Sequence, residues 1–186
     1  VFLGDHPNWW RPNFSPDGQR LGVPVIQNGR IVIVVDDQPW EELSCRKPSE
    51  LRPAWSDLVP AIHNDRLFYP RFGPSGVCVA IVTTDFCFDR EKRKYKPQWT
   101  VAVEGKPWQV KFPDIDGSWM EISEDGRVAV PVTVAEYNEP FPRADKANNK
   151  TIAVDGKVWS TRFEFGHHIR FLPNRGIAAE ATVIFE

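Results

Sequence analysis

The chain repeats itself, and a repeat with a period near fifty residues restricts the fold to a few array architectures. Three segments share one pattern: "NFSPDGQRLGVPVI" (13–26), "RFGPSGVCVAIV" (71–82) and "MEISEDGRVAVPV" (120–132). A fourth copy, "RFLPNRGIAAEATVIF", occupies 170–185. Each has an apolar residue, a polar turn with a glycine, and then an alternating strand. The turn glycines read as Gly18, Gly76, Gly126 and Gly176, separated by 58, 50 and 50 residues. A second half-unit follows the first in "GRIVIVVDDQPWEEL" (29–43), "QWTVAVEGKPWQVKF" (98–112) and "KTIAVDGKVWSTRF" (150–163). Each is a β-branched strand, a tight acidic turn, and a short strand carrying Trp40, Trp108 or Trp159. An acidic residue followed by Gly between two such runs predicts a two-residue hairpin.

One full unit is therefore four antiparallel strands, and a four-stranded unit of this period predicts an all-β, propeller-like array of blades. The expected boundaries are blade one at 13–43, an insertion at 44–66, blade two at 67–112 and blade three at 113–163. Residues 164–186 supply the first half of a fourth blade. The opening "VFLGDHPNWW" reads as the other half (1–12), with Gly4-Asp5 as its turn and Trp9 or Trp10 as its tryptophan. Pairing of the two halves predicts one domain of four blades, closed so as to remove a sheet edge. The alternative is a longer array.

Composition narrows the function classes. A net charge of −2 gives no global footprint for nucleic acid or an anionic membrane. Cys45, Cys78 and Cys87 form neither a disulfide framework nor a zinc pattern, and Cys78 falls in an apolar strand as a packing residue. Ile31–Val35 is the longest purely aliphatic run, far short of a membrane span. No basic-then-apolar signal segment opens the sequence. No nucleophile elbow, phosphate loop, zinc-protease or haem-attachment motif is present. His167-His168 is the one histidine pair, and neighbours on a strand face opposite ways, so no metal site follows from it. His6 and His63 are isolated. Asp125, Asp155 and the acids of "DDQ" read as turn residues bonding local amides. The expectation is no catalytic residue, no metal and no cofactor.

The repeated tryptophans recur in register with the fold, which favours packing between blades over a ligand ring or an electron relay. Trp55 and Trp119 lie outside the motif and read as interface candidates. Within each unit both tight turns fall at one face, and all the added length falls at the other: 44–66, 85–97 and 136–149. Long insertions in compact domains are commonly functional. The segment 85–97 carries five basic residues against three acidic ones, interleaved with aromatics. Its partner-binding candidates are Phe86, Phe88, Arg90, Arg93 and Tyr95. The 136–149 loop offers Tyr137, Phe141 and Arg143.

The strand-and-turn unit around "FSPDG" resembles the WD40-like repeat of TolB-type propellers. The longer string "WTVAVEGKPW…EDGRVAV…TIAVDGKVWSTRF" is similar to the tryptophan-rich TmcD-type subunit of the Tmc transmembrane electron-transfer complex of sulfate-reducing bacteria. The similarity covers most of 9–185, apart from the insertions, and Asp37 departs from it by replacing Gly. It implies an accessory subunit without a redox centre of its own. Its implied partners are an iron–sulfur subunit of the heterodisulfide-reductase type, a membrane cytochrome b and a multihaem cytochrome c. The implied location is the cytoplasmic side of the inner membrane, without a span of its own. The competing expectations are a propeller enzyme or small-ligand binder with a central-channel site, and a periplasmic TolB-like module.

Overall fold

A computed structural model describes residues 12–27, 30–40, 70–89, 94–134, 150–163, 165–173 and 176–182. These residues are all-β, with a single 3-10 turn at Gly117–Trp119. No helix among them is long and apolar enough to cross a membrane. The first sheet is β1 (Asn13–Phe14), β2 (Leu21–Gln27), β3 (Arg30–Val35) and β4 (Gln38–Pro39), paired in that order. The second repeats the plan with β5 (Arg71–Phe72), β6 (Cys78–Asp89), β7 (Lys94–Val103) and β8 (Lys106–Pro107). In the third, the opening strand is split into β9 (Asp114–Ile115) and β10 (Glu121–Ile122) by the 3-10 turn, and both halves pair with β11 (Val128–Thr133). The strands β12 (Lys150–Val154) and β13 (Lys157–Val158) complete that sheet. A last pair, β14 (Phe165–Phe171) and β15 (Ile177–Thr182), has the first two strands of the plan. All pairings are antiparallel, as expected from short hairpin connections.

The turns explain why these sequences fold this way. The residue pairs Asp36-Asp37, Glu104-Gly105 and Asp155-Gly156 all have positive φ, the signature of a type I′ hairpin, whose twist matches that of its flanking strands. The other turn holds Gly18, Gly76 and Gly126 at φ 70–82°. Gly176 departs from the expected equivalence. The Leu172 N–H donates to the Gly176 carbonyl, the role played by Val77 and Arg127 in the second and third sheets. Gly176 therefore stands one position later in its turn than the other three glycines, and its φ is not left-handed.

Successive sheets meet through their strands and turns. Ile33 and Val35 of the first sheet share one apolar core with Cys78–Val82 of the second and with Val128, Val130 and Val132 of the third. Ile152, Val154, Phe163 and Ile169 form a second cluster joining the third sheet to the fourth. Strands β11 and β12 are almost wholly buried, the mark of a sheet covered on both faces.

The described parts of the segment 85–97, residues 85–89 and 94–97, are strand. After a register shift between Thr83 and Asp85, β6 and β7 stay paired from Asp85↔Gln98 to Asp89↔Lys94. Phe86 and Phe88 stand two apart, which is strand spacing, and Tyr95 faces Phe88 across the ladder. The half-blade expected of residues 1–12, apart from Pro12, lies outside the described residues, as do the insertions at 44–66 and 136–149.

Candidate interaction surface

One construction recurs in all three complete sheets. The first turn residue of the I′ hairpin is acidic, and its carboxylate reaches across to the opening of the second strand. The Leu21 N–H donates to Asp36 Oδ1 (2.8 Å), the Cys78 N–H to Glu104 Oε1 (2.6 Å) and the Val128 N–H to Asp155 Oδ1 (2.8 Å). The same three acids donate their own N–H groups to the carbonyls of Leu21, Cys78 and Val128. Each acid closes both hydrogen bonds at a ladder end that would otherwise be open. The turn pattern suggested acids bonding local amides. Asp36 and Asp155 instead bond strands fifteen and twenty-seven positions away. Asp17 and Asp125 do act locally, accepting from the Ser15 and Ser123 hydroxyls.

Arg20 ties the first clamp to the second. Its Nε donates to Asp36 Oδ2 (2.8 Å), and its Nη1 donates to Glu104 Oε1 (2.7 Å) and the Gly76 carbonyl (2.8 Å). The guanidinium lies 5.5 Å over the Phe72 ring. Hydrogen bonding to Glu104 and then Asp36 raises the Arg20 pKa further. Burial works to raise that of Glu104, but the Arg20 and Cys78 N–H bonds outweigh it and hold the carboxylate below its ordinary range. Arg127 repeats the device in the third sheet, with Asp155 at 2.9 Å and the Phe171 ring at 5.4 Å.

The tryptophans sit between sheets. Trp40 lies against Gly105, where a methyl group would stand 3.2 Å from Cδ1. Trp108 lies in the same way against Gly156, at 3.3 Å from Cγ. Each tryptophan thus packs on the I′ turn of the following sheet, and the turn glycine leaves room for the indole. Trp159 is packed against the second core cluster. Two threonines hold the tryptophan-bearing segments: Thr100 Oγ1 donates toward the carbonyls of Trp108 (3.1 Å) and Val110 (2.8 Å), and Thr151 Oγ1 toward those of Trp159 (3.1 Å) and Thr161 (2.7 Å). Sequence reading passed over Thr100, Thr151, Arg20 and Glu104. The signal was a hydroxyl at one fixed position of two β-branched strands, aligned with Val32 in the first sheet.

Of the partner-binding candidates, Trp55, Arg90, Arg93, Tyr137, Phe141 and Arg143 lie outside the described residues. Phe86, Phe88 and Tyr95 lie on the β6–β7 ladder, with Phe86 opposite Pro97 and Phe88 opposite Tyr95. Trp119 ends the 3-10 turn, and its ring meets that of His168 edge-on at 4.7 Å. His168 has φ 51° at the irregularity in β14, so strand alternation does not hold at this pair. No cluster of three or more His, Cys, Asp or Glu able to hold a metal exists among the described residues. Cys78 is fully buried, and burial pushes its thiol up to about 12, which suits a packing residue and not a nucleophile. No family model, curated protein or solved structure matches the chain.

Proposed function

We propose that the chain is a non-catalytic scaffold subunit, a propeller-type array with its sheets as blades, that docks protein partners through the β6–β7 hairpin. One observation supports this reading above the others. Among the described residues the β6–β7 ladder runs ten residue pairs, against six for β2–β3 and five for β11–β12, although the three sheets share turns and carboxylate clamps. Among the described side chains of these two strands, Cys78–Val82, Trp99, Val101 and Ala102 belong to the core. The hairpin is thus longer than its described counterparts in the other two sheets, and additions to one repeat mark a binding face. The carboxylates of the opposite, turn face are engaged in clamps, which favours a structural use for them.

The resemblance of the repeat to the TmcD-type subunit supplies the partner class. In this reading the chain is an accessory subunit of a membrane-associated respiratory electron-transfer complex, on the cytoplasmic side. It contacts an iron–sulfur subunit of the heterodisulfide-reductase type, a membrane cytochrome b and a multihaem cytochrome c. The test is affinity purification from native membranes with the wild-type chain and with a variant whose residues 86–96 are replaced by Asn-Gly. Haem and iron–sulfur proteins co-purify with the wild type and are lost from the variant, whose thermal midpoint stays within about 2 °C, equivalent to under 1 kcal/mol. Unchanged co-purification, a variant that no longer folds, or a wild type recovered only as a free chain with a bound small molecule overturns the proposal.

A further inference from the structure

We infer that the β6–β7 hairpin has two sorted faces, and that the face holding positions 86, 88, 95 and 97 docks on a partner protein, at an apolar patch rimmed by carboxylates. This rests on the scaffold reading and names the chemistry of its partner. One residue does the sorting. Nearest the core, Val79, Ile81 and Thr83 pair with Val103, Val101 and Trp99, one step on β6 for each step on β7. Between Thr83↔Trp99 and Asp85↔Gln98, β6 advances two residues while β7 advances one. A bulge of this kind re-aims the strand beyond it. There Phe86 is opposite Pro97 and Phe88 opposite Tyr95, while Cys87 is opposite Lys96 and Asp89 opposite Lys94. Residues directly opposite share a face, and a one-residue slip exchanges the faces. Without the extra residue Phe86 would stand opposite Lys96, Phe88 opposite Lys94, and Asp85 opposite Pro97. The bulge therefore gathers the aromatic positions on one face and the charged positions on the other.

Two observations select the occupant. The first is continuity with a junction between sheets. By strand alternation, positions 95 and 97 of β7 share a face with 99 and 101. Trp99 and Val101 are buried in the core that the first three sheets share. The Trp99 backbone exchanges both its hydrogen bonds with Phe112, another buried member of that core. The aromatic positions thus prolong a face that already serves apolar contact with protein. The second observation is charge. The segment 85–97 has five basic residues against three acidic ones, in a chain with 25 acidic residues against 23 basic. It is the positive part of a chain whose remainder is negative. Potentials across an interface are complementary, so the surface that meets this hairpin is acidic.

The same register disfavours a phosphate-bearing occupant. Nucleic-acid strands are held where basic groups and stacking aromatics converge on one groove. Here Lys94 and Lys96 hold positions on the face away from Phe86, Phe88 and Tyr95, and Asp89 stands directly across from Lys94. Aromatic anchors set apart from charge make the centre of a protein interface, and the charges around them govern encounter rate and salt dependence.

The experiment immobilises the full chain and titrates it with a detergent extract of native membranes, reading captured haem by absorbance. Phe86→Ser and Tyr95→Ser each weaken capture on the order of tenfold or more, as for loss of a central anchor. Cys87→Ser, on the other face, leaves it within about twofold. Association slows as salt is raised. Thermal midpoints of all three variants stay within about 2 °C of the wild type. A larger fall for Phe86→Ser or Tyr95→Ser shows that the face packs within the chain, and overturns the inference. Equal weakening by Cys87→Ser, or capture that strengthens with salt, also overturns it. So does self-assembly of the purified chain, or its binding to phosphatidylglycerol vesicles, if Phe86→Ser abolishes either. Replacement of 86–96 by Asn-Gly separates the two levels. If it abolishes capture while both aromatic variants retain it, the scaffold reading stands and this inference fails. If it leaves capture unchanged, both fall.

Discussion

Gly73→Ala tests whether neighbouring sheets are fitted side chain to backbone. Gly73 replaces the serine found at the equivalent turn positions 15 and 123, and its N–H donates to the Val77 carbonyl as theirs do to Arg20 and Arg127. A Cβ added there would stand 2.3 Å from Ile122 Cγ2 and 3.1 Å from Ile122 Cβ. Comfortable carbon–carbon separation is about 3.5–4.0 Å. Rotating Ile122 moves Cγ2 away but leaves Cβ in place, and a β-branched side chain has few rotamers to choose from. The sheets must therefore separate slightly. Overpacking of this kind costs about 1–3 kcal/mol, and the severity of the overlap places the cost near the upper end. Because φ at Gly73 is not left-handed, the alanine also recovers about 0.4–1 kcal/mol of unfolded-chain entropy. A net loss of about 2 kcal/mol is expected, or roughly 4–8 °C in midpoint for a chain of this size. Gly18→Ala is the control. Its φ is 70° with nothing within 4 Å of the added Cβ, so it reports backbone strain alone, about 1 kcal/mol. Urea unfolding followed by tryptophan emission and circular dichroism gives the free energies. Ile122→Ala removes the colliding methyl, so the double variant Gly73→Ala, Ile122→Ala should be more stable than the two single changes sum to, by about 1–2 kcal/mol. Additivity within about 0.5 kcal/mol would refute the contact.

Three further outcomes follow from the same geometry. Thr151→Val keeps the shape of a buried side chain but deprives the Trp159 and Thr161 carbonyls of their donor; a loss of about 1–3 kcal/mol is expected in urea unfolding, and a neutral result contradicts the anchoring role. Cys78 should resist maleimide at pH 8 in the folded chain and react once urea unfolds it, read by peptide mass; labelling of the native protein refutes its burial. Glu104 has a lowered pKa in the folded state, so the unfolded chain binds its proton more tightly. Its stabilising contribution is full above the unfolded value of about 4.3 and is lost as pH falls through the folded value. The stability difference between wild type and Glu104→Gln should therefore be present at pH 6 and shrink toward pH 3; a difference that grows on acidification refutes the clamp.

The repeat was legible because its parts are local. A two-residue acidic turn between β-branched runs specifies its own hairpin, and the three I′ turns occur at the predicted positions with positive φ. What was not legible depends on partners distant in sequence. Nothing near Trp40 indicates that its neighbour is Gly105, sixty-five positions on. Nothing near Glu104 indicates that it accepts the Cys78 N–H and also holds Arg20 of another sheet. Gly176 misled for a different reason. A glycine in a polar turn suggests a left-handed residue, but the hydrogen bond from Leu172 fixes it one position further on.

Asp37 shows how departures from a repeat can carry more information than its matches. In the second and third sheets a turn glycine accommodates the tryptophan of the sheet before, whose indole would stand 3.2 and 3.3 Å from a Cβ added to that glycine. Asp37 takes the same left-handed conformation, φ 64°, which costs a residue with a Cβ about 1 kcal/mol relative to glycine. That cost is kept in the sheet where Leu21 and Phe14 are exposed. The array therefore has a direction: tryptophan toward the next turn, aromatic toward the preceding sheet. In the first described sheet Asp36 supplies the acid that clamps the second strand, and Asp37 stands beside it where the second and third sheets have glycine. The same direction accounts for Arg20 and Arg127, each of which pairs with an acidic turn and covers an aromatic of the following sheet. Between them Val77 takes the arginine's place and fills the space beside Gly126, its Cγ2 only 3.0 Å from where a Cβ on that glycine would stand. That junction is closed by aliphatic contact instead of charge, so raising the salt concentration should loosen the first junction before the second.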